Sequence, residues 1–114
     1  MPFIDAKLSK KLSPAEKIDL KAFFGEAISL FPGKSETWLM CSIAGEQSLW
    51  FQGNDDAPSA FIEVKLFGKV DPAGSAKFTE SVCSELQRKY GVPASRVYVR
   101  FEGGTDWGWN GSNF

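Results

Sequence analysis

A chain of 114 residues without a single histidine must move protons with a carboxylate, a lysine, a tyrosine, a cysteine or its own terminus. The same absence excludes the Ser-His-Asp triad, the Cys-His pair and the usual zinc sites. Cys41 and Cys83 form no Cys-x-x-Cys motif and read as small buried hydrophobes in a reducing compartment. Pro2 stands out instead. Removal of an initiator methionine before a small residue would expose a secondary amine on a rigid ring. An ordinary α-amino group titrates near 7.7–8.0. An apolar pocket and a nearby lysine would both lower that value, leaving a neutral amine able to act as general base. The plain alternative is a proline that merely follows the start codon.

Other candidates carry two readings each. Lys34 follows Pro32-Gly33, where it suits either a helix C-terminus or a substrate carboxylate. The Gly68-Lys69 step permits close backbone approach to a ligand, or simply turns the chain. Tyr98 and Arg100 lie two apart on a strand and share a face, which would frame an anion or pack a sheet surface. Trp107 and Trp109 suit structural or interfacial anchoring.

These residues need a scaffold, and the chain spells one out twice. Pro2 to Leu8 alternates Ile4, Ala6 and Leu8 against Phe3, Asp5 and Lys7, a half-buried strand. Ser13-Pro14-Ala15-Glu16 is a capping box with proline at the first helical position. Leu20, Phe24, Ala27, Ile28 and Phe31 then line one helical face up to Pro32-Gly33. Trp38 to Ile43 reads as a strand covered on both faces, and Leu49-Trp50-Phe51 as a shorter one. Phe61 to Phe67 is again an alternating strand. Asp71-Pro72 opens a second helix through Phe78, Val82 and Leu86, Gly91 closes it, and Val97 to Phe101 is a strand. The tail reads as turn-rich.

The halves match at an offset of 58 residues: Ser13-Pro14-Ala15 with Asp71-Pro72-Ala73, Leu20 with Phe78, Phe24 with Val82, Ile28 with Leu86, Gly33 with Gly91. The expected architecture is α+β: duplicated β-α-β units forming a four-stranded mixed sheet with two helices on one face. It makes one domain, 2–114, with pseudo-repeats at about 2–53 and 58–114. The uncovered sheet face should be apolar and call for a partner. Net charge is −1, which argues against nucleic acid, and no apolar run is long enough to span a membrane. The N-terminus shows no signal-peptide pattern, so a cytoplasmic location is expected.

Taken together, several segments make the whole chain resemble the macrophage migration inhibitory factor branch of the tautomerase superfamily. They are Met1-Pro2-Phe3-Ile4, Pro32-Gly33-Lys34, Leu49-Trp50-Phe51-Gln52-Gly53, Phe67-Gly68-Lys69-Val70, Ser95-Arg96-Val97-Tyr98-Val99 and Gly108-Trp109-Asn110-Gly111-Ser112-Asn113-Phe114. The resemblance implies a homotrimer with three sites between subunits and a cofactor-free, metal-independent keto–enol tautomerase. Mature Pro2 would be the base and Lys34 the partner of the substrate carboxylate. Phe67 would offer its backbone N–H, and Tyr98 would arrive from the neighbouring subunit. Trp109 and Phe114 would form an apolar rim. Arg100 stands where the family's cytokine members carry asparagine, adding a second cation for an anionic substrate or a structural carboxylate. Phe67 is larger than the usual isoleucine and Leu66 replaces a small polar residue, which implies a narrower pocket. The cytokine's Cys-x-x-Cys is absent, so its thiol chemistry does not transfer. The family also implies an alternative: a cytokine-like signalling or binding protein, secreted without a signal peptide and acting on a receptor. Retention of Met1 would favour a catalytically silent trimer instead.

Overall fold

The computed structural model describes residues Met1–Phe114. Strand β1 (Pro2–Leu8) leads into helix α1 (Pro14–Ala27) and strand β2 (Met40–Ala44). Strand β3 (Ala60–Leu66), helix α2 (Pro72–Tyr90) and strand β4 (Val97–Glu102) repeat the plan, and a short hairpin of β5 (Gly108–Trp109) and β6 (Ser112–Asn113) closes the chain. The sheet order is β2-β1-β3-β4. Each half returns its strand parallel to the first, β1 with β2 and β3 with β4, while β1 and β3 run antiparallel at the centre.

Local chemistry accounts for the helices. Ser13 Oγ accepts the Glu16 N–H at 3.1 Å, and the Glu16 carboxylate accepts the Ser13 N–H at 2.9 Å, a complete capping box. Asp71 caps α2 through the Gly74 N–H at 3.0 Å. Gly91 ends α2 in the left-handed conformation, φ 68°, which glycine adopts without steric cost. Helix α1 tightens into a 3-10 turn at Ile28–Leu30 before Pro32-Gly33.

The duplication is closer than its helices suggested. β1 and β3 share the same alternation of burial, and Phe3 faces Met40 as Phe61 faces Tyr98. Ser9 N–H donates to Ser59 O, and its counterpart, Phe67 N–H, donates to Met1 O, both at 3.0 Å. Even the turns repeat: Gln52 and Gly53 (φ 52° and 82°) match Asn110 and Gly111 (φ 51° and 87°). Each pair is a two-residue hairpin loop with both central residues left-handed, the geometry that fits the twist of its flanking strands.

Both helices pack on one sheet face. Ile4, Ala6, Leu8, Ile62, Val64 and Leu66 meet Leu20, Phe24, Ile28, Phe78, Val82 and Leu86, all essentially inaccessible. Phe78 is the hub of the aromatic core. It stacks on Phe24 at 6.5 Å and meets Phe31 at 5.9 Å and Phe101 at 5.8 Å. Phe78→Ala would leave a cavity among three rings, and urea unfolding should show a loss of about 3–5 kcal/mol.

Four expectations need correction. β2 begins at Met40, because Glu36–Trp38 forms a 3-10 turn, and it is not covered on both faces. It is an edge strand, and Met40 is 68% exposed. Leu49-Trp50-Phe51 is no strand: Phe51 and Asn54 bond each other across the Gln52-Gly53 turn and nothing extends the pair. The uncovered sheet face is not apolar. Its middle row runs Ser42, Asp5, Glu63, Arg100, flanked by Met40, Phe3, Lys65, Glu102 on one side and Ala44, Lys7, Phe61, Tyr98 on the other. Charges of both signs balance there, and the large apolar groups keep to the two ends. Both cysteines are free and half-buried rather than fully buried.

Candidate active site

At the Pro2 end of the sheet lies a largely apolar cavity of about 540 Å³, walled by Pro2, Phe3, Trp38, Met40, Trp107 and Trp109. Lys65 also reaches it, and no carboxylate does. Pro2 is held at the first position of β1, opposite Leu66, and is buried. Burial, and after it the nearby Lys34 ammonium, lower the pKa of the Met1 amine below its ordinary value. The environment at this terminus therefore disfavours a cation.

Lys34 is delivered by the Pro32-Gly33 turn. Gly33 takes φ 77°, and Lys34 N–H donates to Phe31 O at 3.1 Å. Its Nζ donates to Phe67 O at 2.8 Å and lies 5.9 Å from the centre of the Phe67 ring. The helix-terminus reading of Lys34 thus gives way to a tertiary contact 33 residues along the chain. Phe67 follows β3 directly, and its N–H is held by Met1 O at 3.0 Å. The Phe67 ring meets Phe114 at 5.1 Å. The β5–β6 hairpin sets the rest of the wall: Trp109 packs edge-on against Trp38 at 5.3 Å and 86°.

Pro2, Lys34, Phe67, Trp109 and Phe114 therefore gather at one end, where Pro2 and Trp109 line the cavity and Lys34, Phe67 and Phe114 lie outside its lining. Tyr98 and Arg100 do not join them within the chain. Tyr98 stands at the opposite end of the sheet, 64% exposed, with its ring 5.3 Å from Phe51. Arg100 lies in the middle row beside Glu63, and its Nη1 donates to Phe101 O at 2.8 Å. The second cation expected near Lys34 is thus not beside it in a single protomer. Trp38 joins the wall from a 3-10 turn and not from the strand expected over Trp38–Ile43. The hairpin that carries Trp109 was readable from Asn110-Gly111, a strong two-residue turn signal. Cys41 is no rival proton carrier: burial first, then the Glu36 carboxylate, push its thiol up to about 11.

A duplicated β-α-β sheet with an apolar pocket at the start of its first strand defines a protein of the tautomerase fold. The chain belongs to the macrophage migration inhibitory factor family, whose sequence pattern, described as Macrophage migration inhibitory factor (MIF), matches residues 1–114. A macrophage migration inhibitory factor homolog of Trichuris trichiura is 30% identical over 105 residues, 89% of this chain and 91% of that protein. The crystal structure of Leishmania major MIF2 superposes with a TM-score of 0.90 at 30% identity, covering 100% of this chain and 97% of that one. The homologue from Prochlorococcus marinus superposes at 0.80, also at 30% identity, covering 98% of each chain. Family and fold together carry a MIF-like function of the tautomerase class.

Proposed function

We propose that the chain, once Met1 is removed, is a keto–enol tautomerase that uses the Pro2 nitrogen as general base on a small carbonyl compound bearing a carboxylate. The observation that carries the reading is the apolar pocket at the N-terminus, where burial and Lys34 depress the terminal amine. A neutral amine there takes the proton from the carbon alpha to the carbonyl and, as the ammonium so formed, delivers it to the carbonyl oxygen, giving the enol. In the reverse direction the ammonium returns a proton to that carbon. Lys34 turns from Phe67 O to the substrate carboxylate, a charge-assisted contact. Departure of Met1 also frees the Phe67 N–H, which then donates to the substrate. Trp38, Trp109, Phe114 and the Phe67 ring exclude water and suit an aromatic side chain such as that of phenylpyruvate.

The assembly belongs to the same proposal. Both sheet edges, β2 and β4, lack partners within the chain, and Tyr98 stands exposed beside one of them. A homotrimer would pair those edges and carry Tyr98 and Arg100 to a neighbour's Pro2 pocket. The processed protein should convert enol-phenylpyruvate to the keto form and scatter light with three times the 12.6 kDa chain mass. Equal rates for wild type and Pro2→Gly would reject the base, and a monomeric mass would reject the shared site.

A further inference from the structure

The duplication gives the Pro2 site a counterpart at the far end of the sheet. There Ala60 replaces Pro2, Ser59 replaces Met1, Phe51 replaces Trp109 and Arg96 replaces Trp38. Where Trp38 leans edge-on to Trp109 beside an open pocket, Arg96 fills the equivalent place with hydrogen bonds. Its Nε donates to Ser59 Oγ at 2.9 Å, Nη1 to Asn54 Oδ1 at 3.1 Å and Nη2 to Asn54 O at 3.0 Å. Its guanidinium carbon also lies 5.5 Å from the centre of the Phe51 ring. Asn54 and Phe51 are the two ends of the Gln52-Gly53 turn. One side chain therefore holds both ends of that turn, and the turn's Phe51 meets Tyr98 edge-on at 76°.

We propose that Arg96 is a positioning residue: it clamps the 51–54 turn, and through Phe51 it fixes the orientation of the Tyr98 ring. Tyr98 sits on an exposed edge strand, with Phe61 across the ladder as its sheet partner and Phe51 as its aromatic partner. An edge-to-face contact has a defined geometry, so a ring braced by a fixed Phe51 keeps one orientation. The planar fork that reaches Asn54 twice and Ser59 once is particular to arginine, and an ammonium cannot reproduce it. The inference rests on the reading that Tyr98 lines the Pro2 pocket of a neighbouring copy.

The test compares Arg96→Gln, Phe51→Leu, Tyr98→Ala and the double variant Arg96→Gln/Tyr98→Ala in the processed, full-length protein, with phenylpyruvate as substrate. Arg96→Gln and Phe51→Leu should each raise KM about three- to tenfold, in keeping with one aromatic contact. In both, kcat should stay within about twofold, and the acid limb of its pH profile should stay in place, because Pro2 is untouched. Arg96→Gln should add nothing further in the Tyr98→Ala background. Phe51→Leu leaves the hydrogen bonds of Arg96 in place, so it tests the route even if Arg96→Gln folds poorly. A normal KM for Phe51→Leu overturns the proposal, as do effects of Arg96→Gln and Tyr98→Ala that simply multiply. If Tyr98→Ala itself leaves KM unchanged, the shared-site reading fails and the inference falls with it. If Tyr98→Ala raises KM while Arg96→Gln does not, only the inference fails.

Discussion

A protein that keeps Met1 should interconvert enol- and keto-phenylpyruvate about 10²- to 10⁴-fold more slowly than one that has lost it, the range that general acid–base catalysis supplies. The reason is covalent. With Met1 in place the Pro2 nitrogen is an amide and has no basic lone pair. Met1 also blocks a second function, because its carbonyl holds the Phe67 N–H at 3.0 Å. Its own amine is no substitute, being displaced from β1 by a full residue. Inserting one alanine between Met1 and Pro2 keeps the fold, since the core starts at Ile4 and the insertion lies outside it. Intact mass should confirm the terminus, and the rate should follow the mass. Equal turnover with and without a residue on Pro2 would place the base elsewhere in the chain.

Much of the scaffold was legible because its causes are local. The alternation in Pro2–Leu8, the Ser13–Glu16 box and the Asp71 cap each act within a few residues. The repeat then fixed which strands return parallel. What stayed hidden depends on distant parts of the chain. Trp38 belongs to the pocket only because Trp109 folds back onto it. Lys34 finds Phe67 rather than its own helix end. The turn at Gln52 was disguised because a glutamine, not the usual glycine or asparagine, takes φ 52° there. Alternation told which strand residues face away from the helices but not that their charges balance across four strands. The roles of Phe67 and Phe114 had no local signal at all; they came from likeness to a family, and the structure shows their rings in contact.

The same repeat explains why each chain offers one pocket of this kind. At the position of Lys34 the second half has Val92, fully buried. At the position of Phe67 the first half has Ser9, whose hydroxyl accepts the Ser59 N–H at 2.8 Å. The Lys34 cation and the Phe67 ring thus have no counterparts at the opposite end, which is closed by the Arg96 fork. The difference between the ends is chemical more than topological, since the sheet strands and the turns correspond and only the β5–β6 hairpin is extended where the 51–54 turn is a single bridge.

Lys34→Met carries the second large effect, and it acts on two measurements in ways that separate its roles. Loss of a charge-assisted contact to the substrate carboxylate is worth roughly 1.5–3 kcal/mol, so KM for phenylpyruvate should rise on the order of 10- to 100-fold. The second effect is electrostatic. A cation beside the terminal amine disfavours its protonated form and lowers its pKa. Lys34 does this to the amine of the chain as it stands, after the larger contribution of burial. Processed Pro2 should feel the same field. Without Lys34 the pKa of that amine rises, less of it is neutral at a given acidic pH, and the acid limb of kcat moves to higher pH. Burial remains, so the limb should still fall below the ordinary α-amino range of about 7.7–8.0. Stability should change little, by about 1 kcal/mol for the lost bond to Phe67 O, which unfolding in urea would show. A lysine that only braced Phe67 would alter stability and leave the limb where it was. An unmoved limb together with an unchanged KM would remove Lys34 from the site.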